Sequence, residues 1–262
     1  MAAPQVLVHR DAELLAKAVA ARLVTRLVDA CAGGSSASLV LTGGGIGTRV
    51  LAELAAAPAR DAIDWQHLDI WWGDERFMPS GDPERNETGA RAALLDHVAI
   101  PAGRVHPMPA SDGPDGNDPE AAARRYAAEL RAAAQPEDHG PVPSFDVLLL
   151  GIGPDAHVAS LFPGLPAVYE QDRPVVAVRG APKPPPTRLS LTRPAIQAAR
   201  DVWVIASGPD KAPAVRLALS GAGAGPVRVP AAAARGRQQT LFLLDRAAAA
   251  EVPASLGRIA SP

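Results

Sequence analysis

Short apolar runs end in glycine turns and alternate with helical patterns, and this alternation constrains the fold more than any other feature. Val147–Leu150 is the clearest run. It is short enough to be a strand buried on both faces, and it breaks at once into Gly151-Ile152-Gly153-Pro154. Further strands are expected at Val6–Val8, Ser38–Leu41, Leu68–Trp72, Pro174–Val178, Val202–Ala206 and Thr240–Leu244. Between them lie helical stretches. Leu15, Val19, Leu23 and Leu27 recur at four-residue spacing behind a capping Asp11. Ile46–Ala57, a stretch from Asn86 to about His97, Glu120–Ala133 and Pro194–Ala199 complete the set. Strands alternating with helices predict an α/β fold: a mostly parallel sheet with helices covering both faces.

The 262 residues, 47% apolar and 21% charged, suit a globular chain of one large or two small domains. Only the Pro-rich loops at Pro107–Pro119 and Gln135–Ser144 offer a boundary. Neither is long enough to divide the chain, so residues 1–262 are read as a single domain without internal repeats. Pro107–Pro119 can be a lid or a plain connector.

A net charge of −2 gives no footprint for nucleic acid or an anionic membrane. An anionic ligand must therefore meet a local cluster of basic residues. No apolar run approaches spanning length, and no signal-peptide pattern opens the chain. One cysteine, Cys31, cannot form an internal disulfide. These features point to a cytoplasmic protein.

Four strand ends carry chemistry-bearing residues: Gly43–Gly45, Asp74–Arg76, Asp155–His157 and Pro209–Lys211. In a parallel sheet they share one edge, where ligands bind. Gly43, Gly44 and Gly45 open a helix, so their N–H groups can hold an anion; a tight turn is the competing reading. Lys211 falls in the first turn of a helix, where the macrodipole disfavours a cation unless it faces an anion. Arg49 poses the same puzzle less sharply. Arg76 can pair with Asp74 or Glu75, or offer its fork to a phosphate. Arg188 follows the Pro-rich stretch Gly180–Thr187, which either presents it on rigid backbone or merely connects.

His157 has the strongest local setting, two residues after Asp155 and beyond a glycine turn. Asp155 can fix the imidazole tautomer, leaving His157 as a general base. The other five histidines show no such setting. A helix is expected to begin just after this pair. No His or Cys spacing suggests a metal site, and Ser160 lacks a G-x-S-x-G elbow.

At these residues the chain resembles the family of glucosamine-6-phosphate isomerases and 6-phosphogluconolactonases. Four ordered blocks carry the resemblance: Leu41–Gly45, Trp71–Pro79, Gly151–Gly164 and Pro182–Thr192, with Gly208–Lys211 as a weaker fifth. The run Ser160-Leu161-Phe162-Pro163-Gly164 has the lactonase form rather than that of the deaminases. Ala156 stands where the family usually has glycine, and Arg85 stands where serine precedes Asn86.

The resemblance implies a Rossmann-like fold shared with the deaminases and ribose-5-phosphate isomerase. It implies hydrolysis of 6-phospho-D-glucono-1,5-lactone, the second step of the oxidative pentose phosphate pathway, without metal or cofactor. His157 and Asp155 are then catalytic. Gly43, Gly44, Gly45, Asp74, Arg76, Arg188 and Lys211 bind the small sugar-phosphate lactone. The chain is expected to act as a monomer or small homo-oligomer. A sugar-phosphate deaminase or isomerase, with Asp74 moving protons, and a non-catalytic sugar-phosphate sensor are the alternatives.

Overall fold

A computed structural model of the protein describes residues 3–138, 140–220 and 225–260. His139, inside the expected Gln135–Ser144 loop, and the first two residues, where a signal peptide was sought, lie outside them.

Seven strands form one parallel sheet: β1 (Gln5–His9), β2 (Ala37–Leu41), β3 (Leu68–Trp72), β5 (Val147–Gly151), β8 (Asp201–Ala206), β9 (Gln239–Asp245) and β10 (Gly257–Ile259). Their order is β10-β1-β9-β8-β5-β2-β3, every pairing parallel. Every residue of β2 and β8 is buried. Successive strand side chains point to opposite faces, so complete burial means both faces are covered.

Three further strands form a second, antiparallel sheet: β4 (Asp74–Arg76), β6 (Val175–Val178) and β7 (Arg188–Leu191), in the order β4-β7-β6. This sheet was not expected, and β6 was expected alongside the parallel strands. Gly73 is the joint between the two. Its N–H donates to Leu41 of β2 at 3.0 Å, and its carbonyl accepts from Leu191 of β7 at 2.9 Å.

The helices are α1 (Ala12–Ala30), α2 (Gly44–Ala56), α3 (Asn86–Ala93), α4 (Pro119–Ala133), α5 (Arg193–Gln197), α6 (Ala212–Leu219), α7 (Gly225–Arg228) and α8 (Pro230–Ala233). Asp11 caps α1 by accepting from Leu14 N–H at 2.8 Å. The expected stripe of Leu15, Val19, Leu23 and Leu27 is fully buried. The helix from Asn86 is shorter than expected. Leu94 leaves helical geometry at φ −142°, and a single 3₁₀ turn follows at Leu95–His97.

No helix follows β5. The chain runs irregularly through Asp155 and His157 to a 3₁₀ turn at Pro166–Tyr169. Ala156 and Ala159 sit at φ 63° and 49°, left-handed positions that break any right-handed helix. At Ala156, where the family usually has glycine, an alanine thus holds the left-handed geometry that glycine adopts most readily.

Candidate active site

Progression through the sheet reverses between β2 and β5. From β2 the chain steps outward to β3, whereas β5, β8 and β9 lie on the other side. The carboxyl ends flanking such a reversal diverge and leave a crevice. Here it is a cavity of about 230 Å³, lined by Gly43 and Gly44 after β2, Gly151–Gly153 and His157 after β5, and Asp74, Arg76, Asn86, Lys183, Arg188 and Lys211. Thr42 ties the two strand ends together, its Oγ1 accepting from Gly151 N–H at 3.2 Å.

His157 Nδ1 lies 2.5 Å from Asp155 Oδ1. An ionised Asp155 accepts the Nδ1 proton, which leaves the Nε2 lone pair for the cavity. Burial holds the His157 imidazole below its ordinary pKa of 6.5, and the Lys183 charge adds to this. The Asp155 hydrogen bond and the charges of Asp155 and Asp74 oppose the shift. Burial pushes the Asp155 carboxyl up, but its bond to His157 and the imidazole's charge outweigh that, and the net shift is downward. A neutral imidazole at pH 7 is the form a base needs.

The loop is shaped around this pair. A Cβ at Gly153 would overlap the His157 ring and crowd Asp155 Oδ1. Gly153 N–H donates to the His157 carbonyl at 2.9 Å, closing a tight turn. The His157 ring leans on Phe162 at 4.3 Å, and the Arg188 guanidinium covers the Phe162 ring at 5.6 Å.

Asp74 sits at the cavity floor. Ser160 Oγ donates to its Oδ2 at 2.7 Å, and Asn86 Nδ2 donates to its carbonyl at 2.8 Å. Ser160 thus serves to fix Asp74. Behind it Glu75 is fully buried. Its carboxylate accepts from the N–H groups of Arg76 (2.8 Å), Asn86 (2.6 Å) and Glu87 (2.8 Å). Arg85, at the N-cap of α3, makes no side-chain cap, so Glu75 caps the helix from another strand.

The basic residues divide by what already holds them. Arg76 donates to the Glu84 carbonyl rather than to either acid beside it, and its Nε is buried without a partner. Lys211 closes a 3₁₀ turn as N-cap of α6, 3.1 Å from Asp210. Arg188 departs from its expected setting. It lies in β7, 5% exposed, and its guanidinium donates to the carbonyls of Lys183, Pro184 and Pro185. Arg188 therefore organises the Pro-rich loop, which had been read as either presenting it or merely connecting.

Gly45 does not line the cavity. It borders an adjoining one of about 430 Å³ with Arg49 and Lys211. Arg49 is 3.9 Å from Glu13. Nor does Pro107–Pro119 border the site; its first half walls a separate cavity beside α3. His67 and His106 also pair with aspartates, Asp64 and Asp69, contrary to expectation, but neither lines the cavity. Among the described residues no group of three His, Cys, Asp or Glu is placed to hold a metal, and no helix is long and apolar enough to cross a membrane.

Two lining residues escaped the sequence reading. Lys183 was passed over within the Pro-rich stretch, and Asn86 was left undecided because Arg85 precedes it. The glycine loop held the clue to Asn86: a Cβ at Gly43 would overlap its carboxamide.

Comparisons with known proteins bear on the chain as a whole. The chain is 64% identical over 253 residues to the 6-phosphogluconolactonase of Streptomyces coelicolor, covering 97% of this chain and 96% of that protein. It is 53% identical over 243 residues to that of Mycobacterium tuberculosis, covering 93% and 96%. Among solved structures, 6-phosphogluconolactonase from Trypanosoma brucei superposes with a TM-score of 0.82 at 29% identity, covering 95% of this chain and 99% of that one. A monomeric glucosamine-6-phosphate deaminase shares the fold, with a TM-score of 0.77 at 22% identity, covering 94% and 99%. Residues 10–243 match the sequence model of the glucosamine-6-phosphate isomerases/6-phosphogluconolactonase family, and the chain belongs to that family.

Proposed function

We propose that the protein hydrolyses 6-phospho-D-glucono-1,5-lactone to 6-phospho-D-gluconate, the second step of the oxidative pentose phosphate pathway, in the cytoplasm. The observation that carries this reading is the Asp155–His157 pair facing a cavity lined by Arg76, Lys183, Arg188 and Lys211. An imidazole held neutral beside cations suits the attack of water on an anionic ester. The relatives named above point the same way.

Arg76 and Lys211, with the N–H groups at Gly43 and Gly44, anchor the 6-phosphate and set C1 of the lactone above His157. Nε2 of His157 takes a proton from water as the oxygen bonds to C1. The carbonyl π pair moves onto oxygen and gives a tetrahedral oxyanion. The carbonyl reforms, the C1–ring oxygen bond breaks, and the Nε2 proton passes to the departing ring oxygen. Asp155 keeps the ring oriented throughout, and Asp74, held by Ser160 and Asn86, braces the cavity floor. A base of this kind contributes about 10²- to 10⁴-fold.

NMR of lactone loss at pH 7, against an enzyme-free control, tests the reading. A rate proportional to protein is expected. No rise above the control, with ammonia released from glucosamine 6-phosphate instead, would reassign the site to deamination.

A further inference from the structure

The Pro-rich loop Gly180–Thr187 contributes one cation, Lys183, that nothing among the described residues occupies. Among the described residues its ammonium has no ion pair or hydrogen bond, whereas Lys211 has Asp210 and Arg76 has the Glu84 carbonyl. An exposed lysine is usually just solvated. Here, however, the backbone beneath it is fixed. Arg188 donates to the Lys183 carbonyl at 3.0 Å, to that of Pro184 at 3.3 Å and to that of Pro185 at 3.2 Å. Ala181 N–H closes the loop onto the Pro186 carbonyl at 3.0 Å. The same guanidinium lies over Phe162, and Phe162 packs against His157. One packed path therefore sets the loop relative to the imidazole.

We propose that Lys183 is a substrate-contacting cation at the reacting end of the cavity, where its ammonium stabilises the oxyanion formed as water adds to the lactone carbonyl. This rests on the lactonase reading above. Lys183 lines the same cavity as His157, and its charge bears on the imidazole. The path from the Lys183 carbonyl through Arg188 and Phe162 to the imidazole puts Lys183 on the His157 side of that cavity. The charged groups around His157 are Asp155 on its own loop, Asp74 and Arg76 on β4, Lys183 on the Pro-rich loop, Arg188 on β7 and Lys211 before α6. Asp155 and Asp74 favour the imidazolium, while Lys183 disfavours it. Burial is the main reason the base stays neutral; the ammonium adds to it and meets the charge that the base helps create.

The test compares wild type, Lys183→Met and Lys183→Arg in steady-state lactone hydrolysis, and follows the His157 Cε1 resonance through a pH titration. Lys183→Met should lower kcat on the order of 10-fold or more with KM changed less than about threefold. Its His157 titration should move to higher pH, and Lys183→Arg should restore most of both. A raised KM with unchanged kcat would make Lys183 a phosphate anchor and overturn the proposal, as would unchanged kinetics. If wild type leaves the lactone untouched, the hydrolase reading fails separately. The titration still decides whether the ammonium acts on His157, and an unmoved midpoint overturns it.

Discussion

At Gly153 the space a side chain would take is filled by the His157 ring. Gly153→Ala should therefore displace the imidazole rather than unfold the chain. We expect kcat to fall about 100-fold or more, with thermal unfolding moved by only a few degrees. Near-normal kcat would show that the ring need not sit where it does. The depressed pKa of His157 sets the acid side of the pH profile. The base must be neutral, so kcat/KM should fall below pH 6.5 with its midpoint under that ordinary value. A midpoint above 6.5 would mean that Asp155 and Asp74 outweigh burial and Lys183. Stability follows the same sign. The fold favours neutral His157, so its contribution is present above 6.5 and lost as pH falls through the folded value. The His–Asp pair was legible because a glycine turn after an apolar run announces a strand end. The burial of Arg188 was not, since only pairing of β7 with β4 and β6 covers it. Lys183 was hidden for the same reason: its place depends on how Arg188 folds the prolines.

At the scale of elements, α3 is built into the site through Glu75. Burial pushes this carboxyl up to about 7, against the charge of Arg85 and three N–H donors. Glu75→Ala would leave the N–H groups of Arg76, Asn86 and Glu87 without their acceptor and the buried Arg85 without one of its acids. A loss of about 3–5 kcal/mol in denaturant unfolding is expected, together with reduced kcat as Asn86 and Asp74 loosen. A loss under about 1 kcal/mol would show that water or Glu87 takes over the role. Six of the parallel strands were readable as apolar runs; β10, which follows the strand expected to be last, was not, because Gly257-Arg258-Ile259 is no such run. The antiparallel sheet was not, because Asp74–Arg76 is three charged residues and Arg188–Leu191 mixes charged, polar and apolar ones. Such short strands exist through their partners rather than through pattern. The helix expected after β5 failed for a different reason. Its apolar residues face inward from an irregular loop, and sequence alone does not reveal the positive φ of Ala156 and Ala159.

At the scale of the whole molecule, the seven-stranded order places the reversal between β2 and β5, which brings together loops more than 100 residues apart. A shared sheet edge was foreseeable from alternation; where the order reverses was not, since pairing between distant strands leaves no local mark. A net charge of −2 supplies no overall attraction for an anionic substrate, so attraction rests on local cations such as those lining the cavity. Salt should therefore lower kcat/KM severalfold between about 0.01 and 0.5 M, where the screening length shrinks below the span of the site. Indifference to salt would argue against the cation-lined cavity as the substrate site. The central claim, that His157 activates water in this crevice, is tested most directly by the rate of lactone opening at pH 7 in wild type and His157→Ala. The account predicts a kcat lower by about 10²- to 10⁴-fold in the variant with KM within a few-fold. A kcat preserved within a few-fold would contradict it and remove His157 as the base.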